Sequence, residues 1–161
     1  MPAKILIVAY GNPLRCDDGV AWRVADALAG KFPESEVEIL SLHQLAPEAA
    51  DNIRHVGLVL FLDAACADDV ENTRPGDIGV RAVSNAEMNE QRAGQFSHVY
   101  SPAKLLYLAK ELYRAEPKAF VITVTGEDFG HGDRLSAPVA AALSAFVKRI
   151  EQIVREQLSK S

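Results

Sequence analysis

Three short apolar runs, Lys4–Ala9, Leu58–Leu62 and Ala119–Thr125, recur along the chain with amphipathic stretches between them. This alternation constrains the fold more than any other feature. Runs so rich in Ile, Val, Leu and Phe are the pattern of strands covered on both faces, and they predict the centre of a sheet. Val37–Leu42 has a more polar start, and Ile78–Val83 is a shorter run after the turn at Pro75-Gly76, so both are predicted edge strands. Val20, Val24 and Leu28 recur at four-residue spacing, Leu105, Leu108, Ala109 and Leu112 share one face, and a shorter helix is predicted near Pro47. The clearest helix carries Val139, Leu143, Phe146, Val147, Ile150, Ile153 and Val154 as a stripe, with Ser136 and Pro138 marking its start. Strands alternating with helices imply right-handed crossovers, hence a three-layer α/β/α sandwich around a mostly parallel five-stranded sheet.

A chain of 161 residues supports one full core without disulfides or structural metals, so a single domain over 1–161 is expected. With 48% hydrophobic and 24% charged residues it is ordinary globular material rather than disordered. The net charge of −5 argues against a broad nucleic-acid surface, which needs clustered Lys and Arg. Ile5–Ala9 is too short for a signal-peptide core and no apolar run approaches a membrane span, so a cytoplasmic protein is expected. Cys16 and Cys66 belong to no metal-binding pair and are expected to be free thiols.

In an open α/β sheet, sites form outside the carboxyl ends of the strands, and here the residues following the strands are polar. The first strand leads into Gly11–Gly19 with Asp17 and Asp18, the second into His43-Gln44, the third into Asp63, and the fifth into Thr125-Gly126-Glu127-Asp128. A glycine-bearing loop between strand and helix suggests a phosphate cradle, but two acids stand where the phosphate would sit, and neither Gly-x-Gly-x-x-Gly nor Gly-Lys-Ser/Thr is present. Asp17 and Asp18 have an ordinary alternative as helix caps; capping needs only one side chain, which leaves the second for other work. Asp63 ends a buried apolar strand, where an ionised carboxylate needs a cation, donors or a solvated cleft. Its ordinary alternative is a bond to the following turn. Asn85–Phe96 has little apolar periodicity and reads either as a flap or as a plain loop leading to His98. Asp18, Asp63 and His98 can converge from three distant segments. Such a set can hold a divalent metal with open positions, or act as base and orienter for an attacking water. His43, His55 and His131 are expected at the surface, with His43 at the same sheet edge.

Taken together these residues resemble the nickel-iron hydrogenase maturation proteases, which remove a C-terminal peptide from the hydrogenase large-subunit precursor. The resemblance spans nearly the whole chain. It rests on Gly11-Asn12 with Asp17-Asp18-Gly19, on Leu62-Asp63-Ala64-Ala65, on His98 with Ser101-Pro102 and Leu105-Leu106, and on Thr125-Gly126 with Phe129, Gly132 and Leu135-Ser136. It implies a phosphorylase/hydrolase-like twisted sheet sandwiched by helices, and Asp18, Asp63 and His98 as the metal-binding, catalytic trio. It further implies that nickel already installed in the precursor is the recognition signal, with other divalent metals able to occupy the site in vitro. The implied partner is the precursor, with neither nucleic acid nor membrane, and the chain is expected to be a monomer. The chain departs from many members at Cys16, where they carry Gly; at Ser41-Leu42-His43-Gln44, where they carry an Asp-Gly-Gly type turn; and after Ser136, where they carry Pro directly. The rival readings are a peptidyl-tRNA hydrolase, which shares the strand running into Gly-Asn-Pro, and a nickel- or precursor-binding chaperone that does not cut.

Overall fold

The computed structural model describes residues 4–66, 73–88 and 100–160. In chain order its elements are β1 (Ile5–Tyr10), α1 (Val20–Leu28), β2 (Val37–Leu42), α2 (Ala49–Ile53), β3 (Leu58–Cys66), β4 (Ile78–Ala82), α3 (Pro102–Tyr113), β5 (Lys118–Gly126) and α4 (Ala137–Ser159). Two short 3-10 turns, Cys16–Gly19 and Asn85–Glu87, are added to these. The strands form one sheet in the order β2-β1-β3-β5-β4. The apolar runs are at its centre as predicted, both weaker strands are at its edges, and only β4 runs antiparallel.

Alternation along the central strands divides the core in two. Ile5, Ile7, Leu58, Leu60 and Ile122 face α1 and α4, meeting Val20, Val24, Leu28, Phe146 and Ile150. Leu6, Val8, Val59, Phe61 and Val121 face α2 and α3, meeting Ile53, Leu105, Leu106 and Ala109. The result is the expected three-layer α/β/α sandwich, in which each helix contributes one apolar stripe. Ser101 caps α3 by accepting from the Lys104 amide at 3.1 Å, with Pro102 at its first position. Among the described residues no helix is long and apolar enough to cross a membrane.

One boundary matters for the site. The sequence suggests that the third strand ends at Leu62, but β3 continues to Cys66. Its last four residues pair with Thr123, Val124, Thr125 and Gly126 of β5, whereas its pairing with β1 stops at Ala9 and Leu62. Asp63 therefore lies inside a strand, at the level where β1 and β3 part. Of the segment read as flap or loop, Asn85–Glu87 is a 3-10 turn held by a capping box between Ser84 and Glu87. Residues 89–96, with His98, lie outside the described residues.

Candidate active site at the carboxyl edge of the sheet

β1, β2, β3 and β5 direct their carboxyl ends to one edge, and the loops there are tied together by polar contacts. After Tyr10 the chain turns at Gly11, whose φ is +142°. A Cβ at this position would lie 2.0 Å from the carbonyl oxygen of Asp18, so glycine is what allows the loop to fold back on itself. The Trp22 indole of α1 donates to the Gly11 carbonyl at 3.0 Å and to the Leu42 carbonyl at 3.1 Å, holding the ends of β1 and β2 against the helix.

The two neighbouring acids have different surroundings, and neither caps α1, whose N-cap is Gly19 with no side-chain bond. Asp17 is fully buried. One of its oxygens, Oδ2, accepts from the amides of Glu127 and Asp128 at 2.8 and 2.9 Å and from the Ser136 hydroxyl at 2.7 Å. Its Oδ1 accepts from the Ser136 amide at 2.8 Å. Burial opposes the charge, yet these donors outweigh it and hold the Asp17 carboxyl below the usual carboxylate range. Asp17 thus bolts the loop after β5 to the loop after β1. The same two loops share the amide bond from Cys16 to Gly132 at 2.8 Å and that from Asp17 to Asp128 at 2.9 Å. Ser136, which reads as a cap for α4, spends its hydroxyl on this bolt and makes no cap bond.

Asp18 instead accepts the Asn12 amide at 2.7 Å through Oδ2. That bond uses an N–H that a phosphate-binding loop would keep for its ligand. Asp63 is largely buried and accepts the Ala64 amide on Oδ1 at 2.8 Å and a bond from the Tyr10 hydroxyl. Burial pushes its pKa up to about 7, with the nearby Asp18 carboxylate adding to the rise and the two hydrogen bonds opposing it. Burial and the Asp63 charge also raise the Tyr10 hydroxyl far above its ordinary range, so Tyr10 remains protonated and a donor. Asp18 and Asp63 are therefore close enough to repel. Neither belongs to an ion pair among the described residues. A site with this charge suits a cation.

Of the sequence-predicted trio, then, Asp18 and Asp63 share the sheet edge, and His98 lies outside the described residues, three positions before the α3 cap Ser101. Among the described residues no three His, Cys, Asp or Glu side chains gather as a metal-binding set. His43 is exposed and rests on Trp22, with ring centroids 5.1 Å apart, rather than joining the two carboxylates. His55 and His131 are exposed as expected, and both cysteines are free. Cys16 has φ +49°, a left-handed conformation that favours glycine, which accounts physically for the Gly that the resemblance leads one to expect there. Burial raises its thiol pKa. Sequence reasoning missed Tyr10, and it read Asp17 as a cap or a second site acid rather than as the bolt between two loops. For Tyr10 a signal was available: a polar-tipped aromatic at the end of a buried strand, at the edge where sites form.

No protein-family model matches the chain, and no curated protein sequence does. Solved structures do. Hydrogenase maturating endopeptidase HybD from E. coli superposes with a TM-score of 0.71 at 21% identity, over 96% of this chain and 93% of that one. The hydrogenase 2 maturation peptidase from Thaumarchaeota archaeon SCGC_AB-539-E09 gives 0.68 at 23% identity, over 94% and 97%. The [NiFe] hydrogenase maturation protease HycI from Thermococcus kodakarensis gives 0.69 at 20%, over 95% and 93%. At these identities the likeness is one of fold, and it extends over almost the full length of each chain.

Proposed function

We propose that this chain is a hydrogenase maturation endopeptidase, which removes the C-terminal extension of a nickel-loaded [NiFe]-hydrogenase large-subunit precursor. The observation that carries the reading is the pair of mutually repelling carboxylates, Asp18 and Asp63, at the carboxyl edge of a sheet whose fold matches structures bearing that name. In this reading Asp18, Asp63 and His98 engage the nickel that the precursor brings, and that ion polarises the scissile carbonyl and orients the two reactants. A pair of acids that forms no ion pair among the described residues gains most from a divalent cation, and the cation displaces the proton that burial would otherwise keep on Asp63. Asp63, ionised once the cation is bound, is suited to orient the attacking water and take its proton. In this reading nickel is part of the substrate, and precursor lacking it offers the pair nothing to bind.

Incubating the protein with nickel-loaded precursor should yield a large subunit shortened by the mass of its tail. Asp18→Asn and Asp63→Asn should abolish this, and unchanged cleavage by either variant would sink the assignment. The product mass also separates hydrolysis from chaperone-like binding. The tRNA hydrolase reading is disfavoured because the first loop commits its Asn12 amide to Asp18 and presents negative charge where a nucleic-acid phosphate would approach.

A further inference from the structure

We propose that Tyr10 is a positioning residue for Asp63: its hydroxyl holds the carboxylate in the orientation in which it meets the precursor's nickel. The inference rests on the proposed function and deepens it. Parallel pairing sets Ala9 of β1 beside Leu62 of β3, so the next residues along each strand, Tyr10 and Asp63, are neighbours at the point where β1 and β3 part. Alternation directs both to the face occupied by α2 and α3. Tyr10 packs there against the cluster containing Val8, Phe61 and Leu106, and its hydroxyl contacts the Asp63 carboxyl.

The packing alone does not call for a tyrosine. A phenylalanine would fill the same apolar space, and a phenolic hydroxyl carried into a half-buried position costs free energy unless it finds a partner. Here the partner is the Asp63 carboxylate, which sits inside a strand at the site's edge. Among the described residues Asp63 then has two fixed donors, the Ala64 amide at 2.8 Å and the Tyr10 hydroxyl. A carboxylate offers about four lone-pair directions, so about two remain for a metal. Both donors come from strands rather than from loops, and a site supported in this way holds its geometry best. Outer donors of this kind fix which oxygen a ligand presents, and losing one weakens metal affinity by about ten- to a hundredfold.

The test uses the full chain and Ni2+ alone, titrated calorimetrically into the parent, Tyr10→Phe and Asp63→Asn, with Co2+ as a spectroscopic probe of ligand geometry. Tyr10→Phe should still fold without metal, melting no more than about 2–4 °C below the parent. It should bind Ni2+ about ten- to a hundredfold more weakly and give an altered visible Co2+ band at saturation. Parent-like affinity and an unchanged band in Tyr10→Phe, with binding lost in Asp63→Asn, would overturn the positioning role and leave the proposed site standing. Parent-like binding by Asp63→Asn would remove the site assignment and the inference together.

Discussion

Replacing Asp63 by asparagine should make the metal-free protein more stable at neutral and alkaline pH. A carboxyl with a folded pKa of about 7 against an ordinary 3.8 binds its proton more tightly in the folded chain. Its contribution to stability is therefore fully present below pH 3.8 and is lost as the pH climbs to about 7. The gap of about three pH units corresponds to about 4 kcal/mol in all, of which about 3 kcal/mol is lost between about pH 5 and about pH 8. The asparagine variant stays neutral throughout, can still accept the Ala64 amide, and loses none of this. Urea unfolding of parent and variant, with chelator, at those two pH values gives the double difference directly, because titrating groups that do not interact with Asp63 cancel. The variant should gain on the parent by about 3 kcal/mol over the interval. A difference that stays flat within about 0.5 kcal/mol would refute the argument that Asp63 is held near neutrality by burial and by Asp18. Adding Ni2+ should shrink the variant's advantage, since a ligand bound only by the folded parent stabilises it by mass action.

The remaining predictions concern the scaffold of the site. Asp17→Ala leaves the Glu127, Asp128 and Ser136 donors without their acceptor and should cost at least about 3 kcal/mol in denaturant unfolding. Ser136→Ala removes only the hydroxyl bond and should cost about 1–2 kcal/mol, and a cost indistinguishable from zero would mean that the bolt carries no load. Because the Asp17 pKa is lowered by folding, its contribution is present above the ordinary carboxylate pKa and lost as the pH falls through the folded one. Asp17→Asn should therefore flatten the acid limb of the stability profile. Gly11→Ala drives a methyl into the Asp18 carbonyl and should lower stability by more than about 2 kcal/mol together with Ni2+ affinity, whereas full affinity would show that Asp18 does not depend on this turn. Cys16→Gly relieves the left-handed backbone and should melt no lower than the parent, while Cys16→Val should melt clearly lower; the opposite order in thermal melts would refute the strain argument.

The layers, the sheet centre and both edges were legible because they depend on period and composition within single segments. Leu58–Leu62 is covered on both faces whatever its neighbours are, so the run announces itself. The extension of β3 through Asp63-Ala64-Ala65-Cys66 was not legible. Those residues are extended because β5 continues to Gly126 and pairs with each of them, and that partner lies far along the chain. The same reason hid the roles of Asp17 and Tyr10. A local reading offers an acid before a helix a cap, whereas Asp17 finds its donors 110 to 119 residues away.

What divides two adjacent and chemically identical side chains is the turn that carries them. Cys16 enters the left-handed region and starts a 3-10 turn, in which successive side chains are rotated by about a third of a circle. Asp17 is thereby directed inward, under the loop that follows β5, and Asp18 is left beside Asn12 within electrostatic reach of Asp63. One acid holds the frame, and the other is the one that the proposed function assigns to the cation. Exchanging their environments would require a different turn, not different residues. The loop after β1 is therefore a single device, in which Gly11 permits the fold-back, Asp17 locks it, and Asp18 is held in a position that the first two determine.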